Sequence, residues 1–158
     1  MKNINLNEYY RHIIFIFIVI LISNYNLYSQ NSKSKREIIF TENAPKPIGP
    51  YSQAVKVGNM VYVSGQIGVD TSGKITVTKI KDETEQVLKN IKEIVEEAGL
   101  DMDKIVKVTI YLTDLNNYAE VNKVYSTFFT NYFPARETIE VSKLPKGAKI
   151  EISVVAMK

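Results

Sequence analysis

The chain has 158 residues, 20 Lys and Arg against 17 Asp and Glu, and a formal net charge of +3. Residues 1–36 hold five of the basic groups and one acid, so residues 37–158, with 15 basic against 16 acidic groups, sit near −1; phosphate-driven nucleic-acid binding normally needs a clustered positive face, and this balance lowers that expectation. There is no cysteine and the one histidine is His12, which excludes disulfides, thiolate nucleophiles and Cys-based metal sites and, once residues 1–36 are set aside, Ser-His-Asp, Cys-His and His-metal chemistry too. Catalysis then has to come from Arg, Lys, Glu, Asp, Tyr, Ser, Thr, backbone amides or bound water.

Ile13 to Ile22 is a ten-residue apolar run preceded by Lys2, Arg11 and His12 and followed by Ser23-Asn24. It is too short to span a bilayer, which takes about 20 residues, and reads as a secretory signal peptide. Ser29 is one candidate end, although no clean small-x-small triplet marks it. The stretch from Ser23 to Arg36 is acid-free, rich in Ser and Asn, and basic, which are transit-peptide traits. Residues 1–36 are therefore expected to be a targeting segment and linker. They are expected to direct the chain into the secretory route and onward to an organelle such as a plastid, with no membrane attachment of the mature form; if the segment is unused the protein is expected to stay cytoplasmic. Residues 37–158 are expected to form one domain, long enough to bury one core.

Glu37 to Phe40 reads as a first strand, and Asn43 to Pro47 as a proline-broken loop. Two apolar runs, Tyr51 to Val57 and Met60 to Ser64, flank Gly58-Asn59, a signal for a tight hairpin. Asp70 to Lys74 is another turn. From Asp82 to Ala98 apolar residues recur at three- and four-residue spacing, which predicts a helix capped by Asp82 and ended by Gly99. Ile105 to Leu112 follows as a strand, with Val106, Val108, Ile110 and Leu112 on one face. A second helix spans about Leu115 to Phe129, capped by Asp114, with Val121, Val124, Tyr125 and Phe128 inside. Strands at Arg136 to Val141 and Lys149 to Met157 close the chain, expected as hairpin neighbours joined through Leu144 to Gly147.

Two helices on one face of a mixed sheet make an α+β sandwich. In the last strand Ile150, Ile152, Val154 and Ala156 share one face, so Glu151, Ser153, Val155 and Met157 share the other. A face mixing a carboxylate with exposed apolar side chains is awkward for a monomer and points to a symmetric oligomer covering it.

The stretches PIGPYSQA (Pro47 to Ala54), SGQIG (Ser64 to Gly68), VKVTIYLTDLNNYAEVN (Val106 to Asn122), PARETIEV (Pro134 to Val141) and LPKGAKIEI (Leu144 to Ile152) together resemble the RidA family, also called YjgF or L-PSP, over roughly residues 37–158. The resemblance implies a chorismate-mutase-like, ferredoxin-related α+β fold and a homotrimer with sites between subunits. It also implies hydrolytic deamination of 2-imino or 2-enamino acids, such as 2-iminobutanoate and 2-iminopropanoate, to 2-oxo acids and ammonia without metal or organic cofactor.

Arg136 is the only arginine in residues 37–158, where fourteen lysines supply every other positive charge. Its planar fork grips a carboxylate through two parallel hydrogen bonds, which Lys cannot reproduce; the plainer reading is a salt bridge to Glu137, Glu140 or another acid. The position matches the family's carboxylate-binding arginine. Glu151 matches the family's active-site glutamate, suited to orient water or move protons. Tyr51 matches a pocket tyrosine, Ser64 and Gly65 offer a hydroxyl and an open backbone amide at a strand end, and Asn122 matches a position near the cleft. Thr138 stands where many members have cysteine, and Ser153 where many have a second glutamate, so thiol chemistry and a two-carboxylate mechanism do not carry over. Two alternatives accompany the deaminase reading. One is an endoribonuclease or translation inhibitor, disfavoured by the missing histidine and positive field, so that no stable nucleic-acid partner is expected. The other is a non-catalytic small-ligand-binding or chaperone-like trimer.

Overall fold

The computed structural model describes residues 10–20, 35–75 and 79–158. The chain divides into two units, Met1–Lys35 and Arg36–Lys158. In the first, residues 10–20 are helical (α1) and their side chains are exposed. No helix among the described residues is long and apolar enough to cross a membrane. Leu21 and Ile22, the candidate end at Ser29 and most of the Ser/Asn-rich stretch lie outside the described residues.

The second unit runs β1 (Arg36–Ile39), β2 (Ala54–Val57), β3 (Met60–Ile67), α2 (Ile80–Glu97), β4 (Ile105–Leu112), α3 (Tyr118–Phe128), β5 (Ala135–Glu140) and β6 (Ile150–Met157). The six strands form one sheet in the order β1-β2-β3-β6-β4-β5. All neighbours are antiparallel except β4 and β5, which are parallel and joined through α3, the kind of crossover parallel neighbours require. Gly58-Asn59 turns the β2–β3 hairpin, pairing Val57 with Met60. The first strand starts one residue earlier than its apolar pattern suggests, and β3 runs on to Ile67.

The strands at 135–140 and 150–157 are not hairpin partners, contrary to the expectation from their nearness in sequence. β6 inserts between β3 and β4, and β5 lies beyond β4 at the edge. The side chains give the reason. Ile150, Ile152, Val154 and Ala156 are at most 3% exposed, which needs a central strand covered by helices, whereas four of the six residues of β5 are polar and suit an edge.

The core lies between this sheet and one stripe each of α2 and α3. Val87, Leu88, Ile91, Ile94 and Val95 of α2 and Val121, Val124 and Tyr125 of α3 are buried against Val61, Val63, Val108, Ile110, Leu112 and the apolar face of β6. Each large aliphatic side chain contributes about 1.5–3 kcal/mol by leaving water. Asp82 lies in the first turn of α2 and does not cap it: Lys79 takes the cap position without a side-chain bond, while the Asp82 charge still favours the helix dipole. At the other end Gly99 adopts φ +76 and donates to the Glu96 carbonyl while Leu100 donates to that of Val95, a Schellman closure for which glycine is suited.

Two further expectations are corrected. A β-bulge between Ile105 and Lys107 turns Ile105 inward and leaves Val106 exposed, so strict alternation fails there. The second helix begins with a separate 3-10 turn, Leu115–Asn117, which Asp114 caps by accepting from the Asn116 N–H; Phe129, just past the helix, is fully buried while Phe128 is partly so.

Candidate active site

Arg136 pairs with Val108 in the β4–β5 ladder and, like Val108, faces the helices. Its guanidinium carbon lies 4.7 Å from the centroid of the Tyr125 ring and 5.6 Å from that of Tyr118. Nη2 donates to the Tyr118 hydroxyl at 3.1 Å. The acids that would have offered a salt bridge are engaged elsewhere: Glu137 accepts from Lys107 and Thr109 at 2.9 and 2.8 Å, and Glu140 accepts from the Leu115 N–H at 2.9 Å. Among the described residues no carboxylate lies within ion-pair distance of Arg136. The fork therefore keeps donors for a ligand. It opens onto a cleft of about 460 Å³ lined by Asn122, Tyr125, Ser126, Phe133, Pro134 and Arg136.

Two buried polar atoms in this cleft, Asn122 Oδ1 and the Tyr125 hydroxyl, have no hydrogen-bond partner in the isolated chain. Burial pushes the Tyr125 phenol up to about 12, with Arg136 opposing the shift, so it stays protonated at neutral pH. Tyr118 is held below the ordinary tyrosine value by hydrogen bonds from Asn122 and Arg136 and by the guanidinium charge. Thr138 pairs with Ile110 and lies on the same face as Arg136.

Glu151 belongs to a second group. It pairs with Ile67 of β3 and Tyr111 of β4, on the face turned away from the helices, and burial raises its carboxyl above the usual glutamate range. Beside it the β3–β6 register slips between Val63 and Gln66, and this bulge carries Ser64 and Gly65. A Cβ on Gly65 would run into the Glu151 carboxylate, so glycine is required for the carboxylate to lie against the strand backbone. The Ser64 hydroxyl donates to the Ser52 carbonyl at 2.7 Å; its proton is committed, which leaves it an acceptor role toward a ligand. Tyr51, half exposed, accepts the Ile48 N–H at 3.2 Å and lines a narrow cleft of about 40 Å³ with Gly65, Gln66 and Lys146.

The structure thus sorts the expected residues into two half-sites: Arg136, Asn122 and Thr138 on the helix side, and Glu151, Gly65, Ser64 and Tyr51 around the β3 bulge. It does not bring Arg136 and Glu151 together, because β4 separates their strands and they face opposite ways. Tyr118, Tyr125 and Gln53 were missing from the sequence reading of the site. Tyr125 read as an ordinary core position, and Tyr118 gave no signal until α3 placed it over Arg136. Gln53, fully buried, ties the proline loop beside Tyr51 by accepting from the Thr41 N–H and donating to the Thr41, Ala44 and Pro45 carbonyls. A further depression of about 1140 Å³ lies between α2 and α3, rimmed by Lys81, Glu85, Lys92 and Glu96, and contains none of these residues.

Fold and site define an α+β domain with a lone arginine fork set over a tyrosine ring and a half-buried carboxylate on the opposite sheet face. The chain belongs to the RidA (YjgF/L-PSP) family: the family model described as endoribonuclease L-PSP matches residues 41–158. A RutC family protein of Pyrococcus abyssi is 54% identical over 124 residues, 78% of this chain and 98% of the relative. The human 2-iminobutanoate/2-iminopropanoate deaminase is 46% identical over 78% of this chain and 90% of its own length. The crystal structure of E. coli TdcF with bound serine is 42% identical, with a TM-score of 0.75 over 77% of this chain and 98% of TdcF.

Proposed function

We propose that the protein hydrolyses 2-imino and 2-enamino acids, with 2-iminopropanoate and 2-iminobutanoate as model substrates, in a site completed by a second copy of the chain. The observation that carries this reading is the Arg136 fork, free of any acid among the described residues and open to a cleft that suits one small carboxylate. The human relative is named for this activity, and TdcF holds serine, a small amino acid.

Arg136 grips the substrate carboxylate through two N–H donors. Glu151 of the other copy accepts a proton from water as the water oxygen adds to the imine carbon. The imine nitrogen takes up a proton to give a carbinolamine; the carbinol hydroxyl then gives up its proton, which reaches nitrogen through Glu151, the C–N bond breaks as the C=O bond forms, and ammonia leaves the 2-oxo acid. The raised Glu151 pKa gives a carboxylate basic enough to accept that proton and acidic enough to return it. Free imino acids already hydrolyse in water, so positioning and one proton relay suffice. Assembly as a homotrimer would cover the open sheet face, where Tyr62, Ile139 and Met157 are each 45–49% exposed, and would juxtapose the two half-sites.

The test is the rate of 2-iminopropanoate hydrolysis by the purified protein and by Arg136→Ala. Acceleration by the wild type alone supports the deaminase; equal rates defeat it. RNA cleavage tested in parallel and lost in Arg136→Ala would turn the reading to the ribonuclease. For residues 1–36 we propose delivery to an organelle through the secretory route. A fusion of this segment to a fluorescent protein that stays wholly cytosolic would refute it.

A further inference from the structure

We propose that Tyr118 is a positioning residue for Arg136: its hydroxyl takes one guanidinium N–H and thereby determines which edge of the fork is left for a ligand carboxylate. The inference rests on the reading that the Arg136 cleft binds small carboxylates and deepens it.

An arginine on an edge strand has many rotamers and five N–H donors, so edge selection needs two constraints. The Tyr125 ring, 4.7 Å from the guanidinium carbon, covers one side of the fork. It leaves the choice of edge open. The 3.1 Å bond from Nη2 to the Tyr118 hydroxyl takes up one donor and makes that choice. A planar group covered on one side and bonded at one donor has its remaining donors aimed.

The phenol is itself anchored. Tyr118 is the first residue of α3, directly after the 3-10 turn Leu115–Asn117, and that turn is tied to β5 by the bond between the Leu115 N–H and Glu140. Strand β5 thus carries Arg136 and, through Glu140, holds the turn that presents Tyr118. The Asn122 amide, one helical turn on, also hydrogen-bonds the phenol. Among the described residues, the charged group that acts on Tyr118 is Arg136 from β5, whose guanidinium also meets the titratable Tyr125 of α3. With two donors on its oxygen the phenol ionises more readily than usual. The phenolate would neutralise the fork and compete with a bound carboxylate.

The full-length protein, its Tyr118→Phe variant and both in an Arg136→Lys background are titrated with 2-oxobutanoate by calorimetry between about pH 7 and pH 10, and assayed with 2-iminopropanoate. Tyr118→Phe is expected to raise Kd and KM about three- to tenfold with kcat within about twofold. It should also remove the alkaline rise in Kd expected of the wild type, and have no effect once residue 136 is Lys. Equal Kd for wild type and Tyr118→Phe, or the same loss in the Arg136→Lys background, overturns the assignment. If the wild type binds 2-oxobutanoate and loses affinity in Tyr118→Phe yet does not hydrolyse the imine, the deaminase reading fails and the positioning role stands. A wild type that binds no 2-oxobutanoate overturns both.

Discussion

Arg136 and Glu151 project from opposite faces of one sheet, with β4 between their strands. A ligand held by Arg136 in one copy therefore cannot reach Glu151 of the same copy. If both act on one substrate, they come from different copies, and two inactive variants should complement. Arg136→Ala and Glu151→Gln, unfolded together and reassembled one to one, are expected to recover about a quarter of wild-type activity, the share of interfaces that pair two intact halves. Each variant reassembled alone should stay inactive. No recovery, with mixed oligomers confirmed by mass spectrometry, would place both groups' action within one chain and contradict the proposed site.

Glu151 is costly to keep ionised. Its folded pKa lies above the ordinary value through burial, so the folded state binds the proton more tightly than the unfolded state does. Stability is then lost as pH rises from the unfolded pKa through the folded one, and at neutral pH the carboxylate is a net burden. Glu151→Gln is expected to raise Tm by a few degrees at pH 7 and to narrow that gain below about pH 4. It should reduce kcat on the order of a hundredfold or more and remove the acidic limb of the rate profile. A Tm unchanged at pH 7 and pH 4 alike would contradict the burial account.

Gly65 gives the Glu151 carboxylate its place against β3. Gly65→Ala adds one methyl group where no space exists and is expected to cost about 1–3 kcal/mol in chemical denaturation. It should also lower turnover by displacing the carboxylate. Restored turnover in Gly65→Ala paired with Glu151→Asp, a shorter acid, would confirm that the two side chains contest one volume.

Glu83 is an acid 2% exposed in a core-facing position of α2, and its Oε1 accepts the Lys149 N–H at 2.7 Å. That bond holds the start of β6, two residues before Glu151. Glu83→Ala orphans a backbone donor and leaves a void, and is expected to cost about 2–4 kcal/mol. Glu83→Gln keeps the acceptor and the shape and should cost less than about 1 kcal/mol. Equal losses in urea melts of the two variants would show that the carboxylate's charge, and not its hydrogen bond, is what matters.

Helix α2 was legible from residues 82–98 because a buried stripe at 3.6-residue spacing is a local property, and the ends blurred by a residue or two because Lys79 starts the helix without a capping side chain. The two faces of β6 were legible for the same reason. Val106 was misplaced because a bulge breaks alternation and leaves no mark in composition. Among site residues, Arg136 stood out by its rarity and Glu151 by its place among apolar neighbours, whereas Tyr118 and Tyr125 look like any helix aromatics.

By itself the sequence determined the absence of thiol and imidazole chemistry from residues 37–158, the lone arginine, and the inward and outward faces of its longest elements, since each depends on composition or on spacing along a few turns. Only the tertiary structure decided where those faces met. Strand order depends on which distant strand best covers an apolar face. Burial of Ile150, Ile152 and Val154 drew β6 to the centre, left β5 at the edge, and so set Arg136 under Tyr118 and over Tyr125 while turning Glu151 to the other side.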